Sequence, residues 1–576
     1  MNGARVGVLI AAVVLAACGA VPNPRSNRTS PASAPALEGT SGGSVTLAVD
    51  QVPVTLNDHT VQGDNEITRD VASAIWPQVF QVGPGQTPVL DTDVVSSAEL
   101  VSISPQTVVY QINPKAVWSD GVPISADDFV YAWQSQRGGN DVDGAPDSVA
   151  STLGYRDITS VTSSNDGRTV TVVFHTPFGA WPSLFDDLLP AHIAERIGWN
   201  HGFDTLDPQT QVSGGPWLVA SWNPGSQIVL ERNPRWWGTA PHLDRILVDA
   251  VPGQGAMVQA LRSGQVDVGY PSTFDSDALA QLTSSPGLET HESLGTTMLQ
   301  LVFNTRHVPL DDVDVRQGIG HAIDRAGLIK TLVQPLDPLV WEDNNYLYAN
   351  TEPQYVDDGP GYVDSDPATA DRLLTQGGLI ADANGTWTLH GAPVVLQLVW
   401  ASDDRWSEAV EPAISAGLVG AGFDVETTPV TSDQLVSSVL PSGAFDLAIA
   451  PVSTSAYPSA TAAYYTSATA VTGPASNLNW SGYSDPHLDD LLTQAVQQLG
   501  SNQAQPVYQQ VDQELWSDVP SLPLFAEPTL LASSAWVGGV ADDPGGLGPM
   551  YSAAGWYRLA AVPDKPSGSA ARRSQG

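Results

Sequence analysis

The run from Phe303 to Lys330, FNTRHVPLDDVDVRQGIGHAIDRAGLIK, constrains this chain more than any other stretch. Just before it, Leu299 to Phe303 reads as a strand. Pro309 and the paired Asp311 and Asp312 then mark a turn. Beyond the turn, Val315, Ile319, Ala322, Ile323, Ala326 and Ile329 recur at helical spacing. Asp311 or Asp312 suits the N-cap, and Asp314 in the first turn complements the helix dipole. Gly318 and Gly320 each cost about 1 kcal/mol against alanine. They are tolerable where another backbone packs closely. A strand feeding one helix is the repeating unit of many α/β domains.

At 576 residues the chain is long enough for more than one core, and with 42% apolar residues most of it should fold. Its 23 Lys and Arg stand against 62 Asp and Glu, a formal net charge of −39, which argues against nucleic acid as a partner. The one cysteine, Cys18, excludes an intrachain disulfide. Arg5 precedes an apolar run, Val6 to Ala17, that ends Leu15-Ala16-Ala17-Cys18-Gly19. The run is shorter than the roughly 20 residues of a spanning helix, and it fits the apolar core of a secretory signal. Residues 1–18 therefore resemble a lipoprotein signal peptide with a lipobox, which would make Cys18 the lipidated first residue of the mature chain. No later run is long and apolar enough to span. The expected location is the extracytoplasmic (periplasmic) face of the cell membrane, held by the lipid anchor.

Residues 19–43, rich in Pro, Ser, Ala, Thr and Gly, are expected to form a flexible tether. Folding should start with the alternating strand Ser44 to Val49. Farther on, Trp118-Ser119-Asp120-Gly121-Val122-Pro123-Ile124-Ser125-Ala126-Asp127-Asp128-Phe129 predicts a tight turn at Asp120-Gly121, then a helix capped by Ser125 with Asp128 at the capping-box position. Ile158–Val161, Asn165-Asp166-Gly167 and Thr169–Phe174 predict a hairpin. Phe178, Trp181, Leu184, Phe185, Leu188 and Leu189 read as a helix leading to Pro190. A turn at Ser213-Gly214-Gly215-Pro216-Trp217 and a final Asn479-Trp480-Ser481-Gly482-Tyr483-Ser484-Asp485-Pro486 before a helix complete the series.

In order and spacing these motifs, together with Phe303-Asn304-Thr305, Pro309-Leu310-Asp311-Asp312, Val315-Arg316-Gln317 and Ala322-Ile323-Asp324-Arg325, resemble the bacterial solute-binding proteins of family 5, the peptide, oligopeptide and nickel receptors of ABC importers. The resemblance runs from about residue 44 to 560. It implies an α/β, two-lobed periplasmic-binding-protein fold of the class II or cluster C type, with an extra subdomain in lobe I. The expected lobe I core is 44–75, 213–300 and 525–562, with the extra subdomain at 76–212 and lobe II at 301–524. A disordered tail is expected at 563–576. The expected partners are a peptide, glycan or other small-molecule ligand and an ABC permease, with the receptor itself a monomer.

Catalytic chemistry finds little footing. There is no phosphate loop, HExxH, CxxC or dinucleotide fingerprint. Gly39-Thr40-Ser41-Gly42-Gly43 matches GxSxG, but that motif needs a strand before it and a helix after it. Asp141 and Asp143 hint at a calcium loop, yet no glutamate closes the spacing. The adjacent pairs Asp186/Asp187, Asp403/Asp404 and Asp489/Asp490 diverge in regular structure and are expected on the surface. The expectation is a binding protein, not an enzyme, with no cofactor and no metal site.

Aromatic residues beside polar ones are the better site candidates. They are Trp400 near Asp403, and Trp480 beside Asn479. Asn65 lies in a segment that faces the cleft in the resembled family. In that family's peptide receptors an aspartate shortly after the strand holding Phe445-Asp446-Leu447 anchors the ligand's amino terminus. Here the segment Ile449 to Ala460 has no acidic residue, and Ser453, Thr454, Ser455 and Tyr457 stand there instead. Burying an ammonium without a charge partner is costly, so a sugar or neutral headgroup suits these hydroxyls better. The lipobox, the tether and the missing aspartate resemble an actinobacterial lipoprotein branch of this fold. That branch is implicated in phosphatidylinositol mannoside and lipoarabinomannan assembly. The candidate ligand residues are thus Asn65, Trp400, Asp403, Tyr457, Asn479 and Trp480.

Overall fold

The computed structural model describes residues 39–559, apart from 84–85, 139–148, 208–210, 338–339, 351, 468–477, 544–545 and 547. Cys18 with its signal peptide, most of the expected tether, Asp141 and Asp143, and the expected tail lie outside the described residues.

In chain order, β1 (Ser44–Val49) precedes α1 (Glu66–Ile75), the strands β2 (Val95–Ile103) and β3 (Gln106–Ile112), α2 (Ala126–Gln136), and the hairpin β4 (Ile158–Ser164) and β5 (Thr169–Phe174). The meander β6 (Trp217–Asn223), β7 (Gln227–Arg232) and β8 (Arg245–Ala250) follows, then α3 (Gln254–Ser263), β9 (Val268–Tyr270) and α4 (Ser276–Thr283). The long β10 (Leu288–Phe303) leads to α5 (Val313–Ala322), α6 (Arg325–Leu332) and α7 (Pro367–Gln376). Then come β11 (Val395–Ala401), α8 (Arg405–Gly420), β12 (Asp424–Val430), β13 (Leu447–Ser453), α9 (Pro486–Gln497), α10 (Ser501–Asp518) and β14 (Ser521–Ser534).

One ten-stranded mixed sheet joins most of these strands in the order β12-β11-β13-β10-β14-β9-β1-β8-β7-β6. Its middle is the antiparallel pair β10 and β14, from Leu288↔Ser534 to Val302↔Ser521. The first part of β10 and the last part of β14 belong to one lobe, where β14 also pairs with β9. The last part of β10 pairs with β13 in the other lobe. Between Leu294 and Met298 the register slips. The change of lobe falls at that irregularity, where a strand bends and ladder bonds are lost. A separate four-stranded antiparallel sheet, β2-β3-β5-β4, forms the extra subdomain of the first lobe.

Each lobe has its own apolar core. Trp118, Trp217 and Trp556 are fully buried in the first. Trp406, Tyr346 and Phe525 are fully buried in the second. The helices α3 and α4, expected with lobe I, pack through Met257, Leu261 and Leu282 into the same cluster as the second lobe. At roughly 1.5–3 kcal/mol for each large side chain buried, these cores supply the main driving force for folding.

The helix after Phe303 starts as its sequence predicts, with Asp312 capping the Asp314 amide at 2.9 Å. Cβ atoms at Gly318 and Gly320 would stand 2.8 Å from Leu374 and 3.0 Å from Tyr362, so close packing accounts for both glycines. The single helix expected there is two. Ile323 turns extended and Asp324 caps a second helix through the Gly327 amide at 2.9 Å. An aspartate's local hydrogen bond outcompetes continuation of the apolar stripe.

The Ser125 capping box is formed with Asp128. The segment from Phe178 to Leu189 is not the helix its apolar residues suggest, but a short 3-10 turn at Trp181–Ser183 followed by irregular chain. Pro182 and the left-handed residues Phe185 (φ 64°) and Asp187 (φ 40°) break it. Ordered structure also begins before Ser44. Gly39 and Thr40 pair with Leu559 and Arg558, and the Gly42 amide donates to the His242 carbonyl at 2.7 Å.

Candidate ligand cleft between the lobes

The floor of the cleft is the irregular middle of the β10–β14 pair. Pro528 faces Leu294 and Ala526 faces Met298, so Glu527 lies opposite the slipped segment Gly295–Thr297. Glu527 is partly exposed, and among the described residues it accepts no hydrogen bond and forms no ion pair. Burial pushes its carboxyl well above the usual range, and the charges of Asp404 and Glu66 push it further.

These two neighbours come from different lobes. Asp404 caps α8 of the second lobe through the Ser407 amide at 2.8 Å. Glu66 sits in the first turn of α1 of the first lobe, whose N-cap Asn65 takes the Thr68 amide at 3.1 Å. An acidic residue in each first turn suits the dipole of its helix. Glu66 is exposed to solvent, yet the protein around it desolvates its carboxyl and raises its pKa. The Thr529 hydroxyl, two residues along β14 from Glu527, donates to Asp542 at 2.6 Å, and Asp542 is likewise raised by burial.

Farther out, the first lobe presents Asp186 and His59. Asp186 is held between the left-handed Phe185 and Asp187, a strained arrangement for residues with a Cβ. Burial raises the Asp186 carboxyl to about 6 against the pull of His59. Burial opposes protonation of His59, but Asp58, Asp186, the Asp187 carbonyl and Asp64 together outweigh it and hold the imidazole above its ordinary value. The ring stacks on Trp199 with centroids 5.8 Å apart. From the second lobe, Tyr457 and Tyr464 look across. Burial raises both phenols, and the Asp186 charge adds to the first and the Asp64 charge to the second.

Two further contacts join segments far apart in the chain. The Gly179 amide donates to the Val496 carbonyl at 2.7 Å. Arg405 of α8 lies 3.4 Å from Asp275, the N-cap of α4.

The residues singled out from sequence take different places. Asn65 is the helix cap at the cleft edge. Tyr457 faces the first lobe. Trp480 is nearly buried and meets Tyr464 edge-on at 5.2 Å, beside a recess lined by Gln300, Val302, Val452 and Tyr465. Trp400 is partly buried against the second-lobe core, with its Nε1 buried and unpartnered. Asp403 accepts from the Ser432 amide at 2.7 Å and hydroxyl at 2.8 Å, and against the pull of burial these bonds keep its carboxyl below the usual range. Asn479 is 3% exposed, and its amide nitrogen is spent on the carbonyls of Thr466 and Tyr483.

Sequence reading missed the carboxylates. Asp186 and Asp187 are not a surface pair. Asp187 is 3% exposed and accepts from Gln78 at 3.1 Å. The rule that adjacent residues diverge holds in regular elements, and this turn is not one. Glu527 carried a readable signal, as the one charged residue in the strand SLPLFAEPTLLASS.

Among the described residues no group of His, Cys, Asp or Glu could hold a metal ion, and no helix is long and apolar enough to cross a membrane. Residues 90–474 match the model of the Bacterial extracellular solute-binding proteins, family 5 Middle. The oligopeptide-binding protein OppA of Mycobacterium tuberculosis is 28% identical over 508 residues, 85% of this chain and 81% of that protein. A probable monoacyl phosphatidylinositol tetramannoside-binding protein, LpqW of the same species, is 30% identical over 359 residues, 61% of this chain and 54% of that protein. Among solved structures, the periplasmic EDTA-binding protein EppA superposes with a TM-score of 0.83 at 27% identity, over 90% of this chain and 97% of that one. The oligopeptide-binding protein AppA from Bacillus subtilis, in complex with a nonapeptide, shares the fold at a TM-score of 0.75 and 18% identity, over 90% of this chain and 100% of that one.

Proposed function

The chain belongs to the bacterial extracellular solute-binding proteins of family 5, and from that premise we propose that it holds a peptide or oligopeptide in the cleft between its lobes. The observation that carries the reading is the cleft wall. The charges of Glu66 of the first lobe and Asp404 of the second raise the hinge-strand Glu527, Asp186 and Asp64 raise Tyr457 and Tyr464, and Trp480 packs edge-on against Tyr464. Polar anchors at one point and aromatic faces along the rest suit a ligand with a charged end and a variable body. The similarity to the oligopeptide-binding relative over most of both chains supports the same class.

Closure uses the two crossing strands. Bending at the slipped register of β10 and β14 brings Asp404 and Tyr457 toward Glu66 and Asp186, and water leaves the space between. Tyr457 and Trp480 touch the solute. Asn65 and Asp403 fix the ends of elements at the rim, while Trp400 and Asn479 support the second-lobe wall. We place the division of the lobes near the boundaries expected from sequence, with the core of α3 and α4 shared across it. Cys18 carries a lipid that holds the protein on the extracytoplasmic face of the membrane, an ABC permease takes the solute from the closed monomer, and no step of catalysis occurs.

A second reading has support of its own. The similarity to a protein named for binding a mannosylated phosphoinositide, and the absence of an acidic residue in Ile449–Ala460, favour a glycolipid headgroup and a regulatory role in mannolipid synthesis. Against it stands charge. A phosphodiester brought to a wall of Glu66, Asp186, Asp404 and Glu527 meets repulsion that a peptide's amino group does not.

The test is thermal shift of the purified protein with tri- to pentapeptides and, separately, with mannosylated inositol phosphate headgroups, backed by native mass spectrometry for any solute that co-purifies. Stabilisation by peptides alone is the expected result. Stabilisation by the headgroups alone would overturn it in favour of the second reading.

A further inference from the structure

The crossing strands are not the only tie between the lobes. The Gly179 amide donates to the Val496 carbonyl at 2.7 Å. Among the described residues no other backbone hydrogen bond joins residues 44–287 to residues 304–520. Each side of this contact is stiffly mounted. Phe178 has no exposed surface and is fixed to β3 twice. Its amide donates to Gln106 Oε1 at 2.7 Å, and Gln106 Nε2 donates to its carbonyl at 2.9 Å. On the other side, Leu488, Leu491, Leu492 and Ala495 of α9 are buried in the second-lobe core. Val496, one residue on, packs instead against the first-lobe core that holds Phe178. The helix thus has its body in one lobe and its last apolar side chain on the other. Close-packed cores resist local yielding, so the contact parts only when the lobes part.

The contact, and not the local backbone, calls for glycine at position 179. Its φ lies outside the left-handed region, where a glycine would be needed for its own sake. A Cβ there would stand 1.9 Å from the Gln498 carbonyl oxygen and 3.2 Å from that of Val496. The first distance is far inside van der Waals contact. The obstacle is main chain and cannot swing aside as the tip of a side chain does, so a larger residue is seated only by moving α9 away from the loop. Phe178 and Ala180 on either side pack against the first-lobe core. The one residue among the three that lacks a side chain is the one that meets the second lobe.

We propose that Gly179 and the Val496–Gln498 end of α9 form a latch that sets how far the lobes close and favours the closed arrangement. The inference rests on the hinge closure proposed above, and it adds a point of control separate from the crossing strands. Two interactions act at the latch. The amide–carbonyl bond fixes its direction, and the Val496 side chain leaves water as the lobes meet. Opening loses both together. One net hydrogen bond and part of one apolar side chain shift a two-state population by about tenfold, enough to bias closure without locking it. A solute held only between closed lobes gains the same factor in affinity.

The experiment takes the purified protein with Gly179→Val and, separately, with Val496→Ala. The first substitution forces the contact apart. The second removes its apolar half and adds no bulk. Small-angle scattering reads the radius of gyration, hydrogen exchange with mass spectrometry reads the segment carrying the Gly179 amide, and thermal melting reads folding. Wild type is expected to exchange that segment slowly, and Val496→Ala at least about fivefold faster. Gly179→Val is expected to enlarge the radius of gyration while melting close to wild type. It should also retain about tenfold less of a pool of random tri- to pentapeptides in native mass spectrometry. Wild-type scattering in a folded Gly179→Val overturns the latch, because the side chain is then seated without parting the lobes. Rapid exchange of the segment in wild type overturns it as well. Should Gly179→Val fail to fold, Val496→Ala decides, and exchange as slow as in wild type overturns the latch. Equal peptide retention by an opened Gly179→Val overturns its share in affinity. Peptide retention by wild type beside any of these results leaves peptide binding standing. A wild type that retains no peptide, while the variants open as expected, overturns the peptide reading and leaves the latch.

Discussion

Arg405 at the start of α8 lies 3.4 Å from Asp275, the N-cap of α4. Neither side chain is more than a third exposed, and the pair links α8, which follows β11, to α4, which precedes β10. Asp275 also holds the Ala278 amide, so the arginine is the cleaner side to remove. Arg405→Ala should cost about 0–1 kcal/mol of stability, as such partly exposed pairs do. It should raise the radius of gyration of the ligand-free protein in small-angle scattering, because the open arrangement loses a competitor. An unchanged scattering profile would mean that the pair does not bias closure.

Asp343 is fully buried, with both carboxylate oxygens unpartnered among the described residues. Burial raises its carboxyl to about 8, against the attraction of Arg325 and the Asn345 amide and with help from Glu352. A raised acid favours the folded state when protonated. Its contribution is complete below the ordinary carboxylate range and is lost as pH rises from there through about 8. The melting temperature should therefore fall between mildly acidic and mildly alkaline buffer. Asp343→Asn should flatten much of that slope, with the rest left to Glu352, which burial also raises to about 8. A slope of the opposite sign in wild type would refute the assignment.

Arg325 has no exposed surface and gives the second lobe its interior polar link. It donates to Asn344 Oδ1 at 2.8 Å and to the Asp343 carbonyl at 2.6 Å, with Trp516 in cation–π range at 5.8 Å. Arg325→Ala leaves those acceptors and the Asp343 carboxyl buried without it, at a cost of about 3–5 kcal/mol. Urea denaturation should show the midpoint moving well down. A shift below about 1 kcal/mol would mean that water replaces the guanidinium.

Trp400 carries a buried Nε1 with no acceptor among the described residues. Trp400→Phe removes the orphan donor, which costs about 1–3 kcal/mol where it is unmade, but also removes packing against the second-lobe core. The two effects nearly cancel, so the melting temperature should change little. Ligand affinity then decides the residue's role. A drop of tenfold or more (about 1.4 kcal/mol) without a change in melting places Trp400 against the solute, and unchanged affinity makes it a wall support.

Much of this architecture is legible in the residues. Asp312, and Ser125 with Asp128, announce helix starts because capping is local chemistry. The order of strands and helices around Phe303 follows from periodicity. What sequence hides is where the backbone departs from regular geometry. The break at Ile323–Asp324 sits inside an unbroken apolar stripe, and the left-handed Phe185 and Asp187 turn an apparent helix into the loop that presents Asp186. The cleft carboxylates are hidden for a related reason. Glu66, Asp404 and Glu527 are far apart in the chain, and only the fold brings the first two near enough for their charges to raise the third.

The pairing of Gly39 and Thr40 with Leu559 and Arg558 has a mechanical consequence. It forms a seam at the edge of the first lobe, stitched further by the Gly42 amide on His242 and the Gly43 amide on Asp244. A pull transmitted through residues upstream of Gly39 loads that seam along its length. The load passes into the first lobe's own sheet and never crosses the β10–β14 joint. Displacement of that seam and rotation about the joint are therefore independent degrees of freedom, and the second lobe swings as the unloaded arm.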